Sequence, residues 1–114
     1  MDNRAAFYQF LFFCALSRRE YDSVMQKAFR AIVRGRVQMV MYRDFAARAA
    51  LEFSIVGSVR NCDDGAVEVI AEGEEVALHS FIVELKKGPM LARVDTIVVN
   101  WQEPSSSYSD FEIK

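Results

Sequence analysis

The apolar positions change their period several times along the chain, and each change marks a new element. "KAFRAIVRG" (Lys27–Gly35) is rich in Phe, Ile and Val and stops at a glycine, which predicts a strand. "YRDFAARAALEFS" (Tyr42–Ser54) is alanine-rich, and Phe45, Ala49 and Phe53 recur at i, i+4 and i+8, the spacing of an amphipathic helix. A short strand follows at Ile55–Asn61. "CDDG" (Cys62–Gly65) is turn chemistry, its Asp-Gly pair supplying the positive φ that a hairpin needs. Ala66–Glu72 alternates, with Val67, Val69 and Ala71 on one face. Glu74–Gly88 aligns Leu78, Phe81, Ile82 and Leu85 on one stripe. Acids lead it, lysines close it and Gly88 stops it, as a helix dipole favours. Ala92–Trp101 is a third long strand, "EPSSS" breaks it, and Tyr108–Ile113 alternates again as a final strand.

The order β-α-β-β-α-β with an extra C-terminal strand predicts an α+β fold, the ferredoxin-like α/β sandwich. Two right-handed crossovers place both helices on one face of an antiparallel sheet and leave the other face uncovered by the core domain. Residues 25–114 form this domain, and residues 1–24 are an apolar N-terminal extension. Within it, Ala5–Leu16 is apolar except for Gln9, too short a run to span a bilayer. It suits the core of a signal peptide ending near Ala15-Leu16-Ser17, but Asp2 set against Arg4 makes a poor positive leader. Three readings stay open. The true start is Met25; or the run is an appendage packed on the domain or on a second chain, giving self-association through residues 5–16; or it is a cleaved signal.

Composition narrows the function classes. A chain of 114 residues, 52% hydrophobic and 26% charged, forms one soluble domain with a real core. Its formal net charge of −2 creates no basic field for nucleic acid, and its strands lack the basic, aromatic segment that RNA-binding sheets carry. Cys14 and Cys62 are too few for a disulfide scaffold, and His79 is the sole histidine. No metal site and no Ser-His-Asp triad is expected, and a reduced, cytoplasmic setting is the default.

The stretch that carries chemistry is "RGRVQMVMYR" (Arg34–Arg43), between the first strand and the first helix. Free N–H groups and partial positive charge at a helix start, entered through a glycine-led loop, suit an anion. Arg43 in the first helical turn adds a planar fork for two phosphate oxygens. Arg34, Arg36, Arg48 and Arg60 make the mouth locally positive, though strand alternation turns some of them elsewhere. Asp63 and Asp64 read as a solvated turn, Cys62 as a passive turn residue, and His79 as solvent-facing on the second helix.

"GRVQMVMYR" (Gly35–Arg43) followed by "GSVRNCDDGAVEVIAEG" (Gly57–Gly73) resembles the acylphosphatase family, over about Met25 to Ile113. The resemblance implies a ferredoxin-like sandwich and metal-independent, cofactor-free hydrolysis of a small-molecule acyl phosphate to a carboxylate and inorganic phosphate. It also implies the roles. The loop Arg36, Val37, Gln38, Met39 and Val40 would wrap its N–H groups around the phosphoryl oxygens, Arg43 would neutralise their charge, and Asn61 would hold the attacking water. Such a site works by positioning and charge stabilisation and needs no histidine. The sequence departs from the family pattern at Met39, where the family has glycine, at Ser58, where an aromatic is common, and mildly at Tyr42. A bulky residue in the middle of the phosphate loop makes a weak or inactive anion- or protein-binding module the alternative to an active enzyme.

Overall fold

The computed structural model describes residues 26–114, and the expectations for residues 1–24, including self-association through residues 5–16, lie outside the described residues. The chain runs β1 (Gln26–Arg36), α1 (Tyr42–Glu52), β2 (Val56–Asn61), β3 (Val67–Glu74), α2 (Glu75–Lys87), β4 (Arg93–Gln102) and β5 (Phe111–Ile113). These match the elements expected from periodicity to within a few residues at each end. The strands form one sheet in the order β4-β1-β3-β2-β5, antiparallel except where β5 joins β2 in parallel. This is the ferredoxin-like α+β sandwich, with the extra strand at one edge.

Strand alternation builds the core. Phe29, Ala31 and Val33 of β1, Val67, Val69 and Ala71 of β3 and Val59 of β2 are fully buried beneath the helices. α2 adds Leu78, Phe81 and Leu85 as its stripe predicts, with Ile82 partly buried. On α1 the buried face is Tyr42, Ala46, Ala49 and Ala50, about one residue round from the Phe45–Ala49–Phe53 stripe. Small alanines let that helix lie close to the sheet, and the two phenylalanines pack at its flanks, partly exposed. Trp101, Phe29, Phe81 and Phe111 make a chain of aromatic contacts with centroids 5.6, 6.2 and 5.9 Å apart. The first and last of these contacts are edge-to-face, an arrangement that aromatic rings favour, and the Phe29–Phe81 pair is tilted.

Two glycines are fixed by close backbone approach. Gly35 sits at a bulge between β1 and β4, with φ 133°, and a Cβ there would lie 2.1 Å from the Arg93 carbonyl oxygen. Gly57, at φ 145°, would put a Cβ 1.8 Å from the Ile70 carbonyl oxygen. Any other residue at either position must move a strand.

The face away from the helices is less open than the element order suggests. Glu68 is 7% exposed and receives bonds of 2.7 Å from both Arg30 on β1 and Arg60 on β2. Glu72, equally buried, accepts from the Ser105 and Ser106 main-chain N–H groups and from the Ser105 hydroxyl. The Pro-Ser segment between β4 and β5 thus crosses this face and covers part of it. Burial alone would raise the Glu68 carboxyl, but the two guanidiniums outweigh it and hold its pKa below the ordinary 4.5.

A group with a depressed folded pKa contributes stability above its unfolded value and loses it as pH falls through the folded one. We therefore expect stability to decline as the pH drops below about 4.5, and part of that decline to vanish in Glu68→Gln. At neutral pH this variant should be about 1–2 kcal/mol less stable, allowing for solvent screening of the half-exposed arginines. Parallel stability–pH curves for the two proteins would show that the triad contributes nothing.

Candidate active site

Antiparallel pairing brings the C-terminal ends of β1 and β2 to the same end of the sheet, with the β2–β3 hairpin and the start of α1. The connection Val37–Met41 alternates in exposure. Val37 and Val40 are buried among the core side chains and pin the loop. Met39 and Met41 point outward, 98% and 63% exposed. Both methionines adopt left-handed backbone, φ 62° and 67°, a conformation that disfavours a residue bearing a Cβ. Their φ values reverse the chain twice within three residues and turn it into α1.

Among the described residues, no N–H from Gln38 to Met41 donates to a main-chain carbonyl, and Met41 gives α1 no side-chain cap. The helix therefore begins with donors that nothing among the described residues occupies, which is the local condition for holding an anion. The glycine expected to lead this cradle, Gly35, lies within the bulge of β1, so the loop takes its shape from the two methionines instead.

Three side chains tie the loop to its surroundings. The Gln38 amide Nε2 donates to the carbonyls of both Cys62 and Ala66, each at 2.8 Å, clamping the loop to the hairpin that follows Asn61. The Tyr42 hydroxyl donates to the Leu85 carbonyl at 2.7 Å and fixes the start of α1 to the last turn of α2. Burial pushes this phenol well above its ordinary pKa, so it stays a neutral donor. The Arg43 guanidinium donates through Nη1 to the Lys114 main-chain oxygen at 2.7 Å, while the Lys114 N–H donates to Val59 at 2.9 Å. Since Val59 lies two residues before Asn61 on β2, this relay anchors Arg43 beside the end of that strand. One bond uses one of the five guanidinium N–H groups and leaves four for a ligand.

Asn61 closes β2 opposite Val67. Its Oδ1 is buried and has no hydrogen-bond partner among the described residues. Buried acceptors seldom go without a donor, so this atom is open to one that the described residues do not supply. It faces the same side of the sheet as Val59, toward α1.

The fold thus brings Arg43, Asn61 and the loop Arg36–Val40 to one end of the domain. Arg36 is the last residue of β1 and is exposed. Three of the four other arginines near the mouth are committed elsewhere, Arg34 to Asp64, Arg48 to Asp44 and Arg60 to Glu68. No three His, Cys, Asp or Glu side chains converge among the described residues. Sequence reasoning missed the bracing role of the Gln38 side chain. It also missed Lys114. The pattern Gln38 before a buried Val40 hints at the first, but nothing in the sequence pairs residues 43 and 114.

A family model described as Acylphosphatase matches residues 29–113. The chain belongs to the acylphosphatase family. It is 52% identical over 73 residues to an acylphosphatase of Thermus thermophilus, covering 64% of this chain and 83% of that protein. It is 43% identical over 86 residues to an acylphosphatase of Dehalococcoides mccartyi, covering 75% and 94%. The crystal structure of the acylphosphatase from Bacillus subtilis superposes with a TM-score of 0.75 at 39% identity, over 77% of this chain and 98% of that one. Acylphosphatases hydrolyse acyl phosphates, and the reading of this chain as a non-catalytic module is not favoured.

Two outcomes follow from the loop geometry. Gln38→Leu keeps the side-chain volume and removes both clamping bonds, so stability should fall by about 1–3 kcal/mol and turnover should fall with it. A variant as stable and as active as the parent would show the clamp to be idle. Met39→Gly should raise stability by about 0.5–1 kcal/mol by relieving the left-handed backbone, whereas glycine elsewhere lowers it. Thermal melts decide this, and a lower midpoint would mean that Met39 carries no strain.

Proposed function

We propose that the phosphoryl group of an acyl phosphate is held by the main-chain N–H groups of Arg36, Val37, Gln38, Met39 and Val40 together with Arg43, and that Asn61 orients the attacking water. The observation that carries this reading is the buried, unpartnered Oδ1 of Asn61 at the end of β2. A water seated there donates one hydrogen to Oδ1 and directs a lone pair at phosphorus. As the P–O(water) bond forms, the bond from phosphorus to the acyl oxygen breaks, and its electron pair leaves on the carboxylate. A phosphoryl oxygen takes the water's proton. Carboxylate is a good leaving group, so positioning and charge stabilisation carry the reaction. The Lys114 bond holds Arg43 at a fixed angle, which lowers the reorganisation needed to meet the developing charge.

The catalytic unit in this reading is the domain of residues 25–114, and residues 1–24 are dispensable for hydrolysis, a view that the span of the family match supports. No helix among the described residues is long and apolar enough to cross a membrane. The free thiol of Cys62 suits the reducing cytoplasm that we assign to the protein.

Two substitutions separate the roles. Arg43→Ala should weaken competitive inhibition by inorganic phosphate and lower turnover together by a hundredfold or more, on the order seen when a charge-stabilising donor is lost. Asn61→Ala should lower turnover comparably while phosphate inhibition and the cooperative melt stay unchanged. A stable Asn61→Ala protein with normal turnover would remove Asn61 from the mechanism, and normal turnover in Arg43→Ala would do the same for Arg43.

A further inference from the structure

We propose that an apolar hollow between α1 and the edge where β5 joins β2 is the docking site of this chain's own apolar run, residues 5–16. The hollow has a volume of about 510 Å³ and is lined by Ala47 and Leu51 of α1, by Ile55 and Val56 where β2 begins, and by Phe111 of β5. Ile55 is buried, while Leu51 at the border is 80% exposed. An apolar concavity bordered by an open leucine marks a surface that another apolar group covers. It does not suit a small polar ligand, because the guanidinium at its rim, Arg48, is bound to Asp44.

Reach, composition and charge name the occupant. The described chain begins at Gln26, opposite Glu74 on β3, and Val56 at the hollow lies opposite Glu72 on the other side of β3. Two strand spacings, about 10 Å, separate them. Residues 17–25 can span up to about 30 Å, so the run reaches the hollow without passing the candidate active site at the other end of the sheet. Ala5–Leu16 carries Phe7, Phe10, Phe12 and Phe13 and is apolar except for Gln9, surface that gains from burial. Arg18 and Arg19 follow it, and the exposed carboxylates of Glu52, Glu74, Glu75 and Asp110 stand at the end of the sheet over which they pass. The open sheet face is a poorer partner. It carries the Glu68 ion pairs with Arg30 and Arg60, and the Ser105–Ser106 segment already lies across Glu72.

The test reads the reactivity of Cys14, which lies inside the run. In the full chain carrying Cys62→Ser, Cys14 is the remaining thiol, and its alkylation by iodoacetamide should be slow. Adding Leu51→Glu should speed it about tenfold or more, because protection follows the population of the docked form. Leu51 is already exposed, so this change leaves the core intact. Val98→Glu, at an exposed position opposite Ile32 on the open sheet face, should leave the rate as it was. Equal rates with and without Leu51→Glu overturn the proposal, and so does a rate that rises only with Val98→Glu. A short bismaleimide then separates the chain's own run from that of a second copy. In Cys62→Ser with Leu51→Cys it should join Cys14 to position 51 within one chain. Cross-linked dimers in place of that product, or a mature protein whose mass lacks the run, overturn the assignment.

Discussion

The site depends on one side-chain amide. Gln38 spends both hydrogens of its Nε2 on carbonyls at the two ends of the β2–β3 turn, Cys62 and Ala66. The loop before α1 has few other constraints. Among the described residues its N–H groups from Gln38 to Met41 find no main-chain acceptor, and two of its residues project into solvent. Buried Val37 and Val40 set its depth, but apolar contacts are non-directional and do not fix its angle. The amide does, because hydrogen bonds are directional and these two converge on one nitrogen. It also couples the loop to the end of β2, since the hairpin it grips begins directly after Asn61.

Stability and function pull apart at the same end of the molecule. Met39 and Met41 hold left-handed backbone and, among the described residues, Asn61 holds a buried oxygen without a partner and α1 starts without a side-chain cap. Each is a local departure from what a stable fold prefers, and together they surround one spot. The opposite face of the sheet shows the reverse. There Glu68 and Glu72, unusual as buried carboxylates, are fully supplied with donors from Arg30, Arg60 and the Ser105–Ser106 main chain. Buried polarity at the structural face is satisfied, and at the chemical end it is left open.

The fold was largely legible in the sequence because each element has a clean period. Val67, Val69 and Ala71 alternate, and Leu78, Phe81 and Leu85 repeat at helical spacing. The stripe on α1 was displaced because phenylalanine outweighs alanine in a hydrophobic pattern, while close packing against a sheet favours the smaller side chain. The burial of Glu68 and Glu72 was not legible, since it needs partners from neighbouring strands and from a loop some thirty residues away. At the candidate site, the loop, Arg43 and Asn61 could be named from spacing and resemblance. Gly35 was given the wrong task, because its closeness to Arg93 depends on the pairing of β1 with β4. Lys114 could not be found at all, because register between distant strands is set by the whole sheet.

The bond from Arg43 to Lys114 joins positions 71 residues apart, and it forms only after β5 has docked beside β2. Contacts of such long range are late and slow to form, because a large loop must close before they are gained. The guanidinium therefore reaches its fixed orientation only when the last strand is in place.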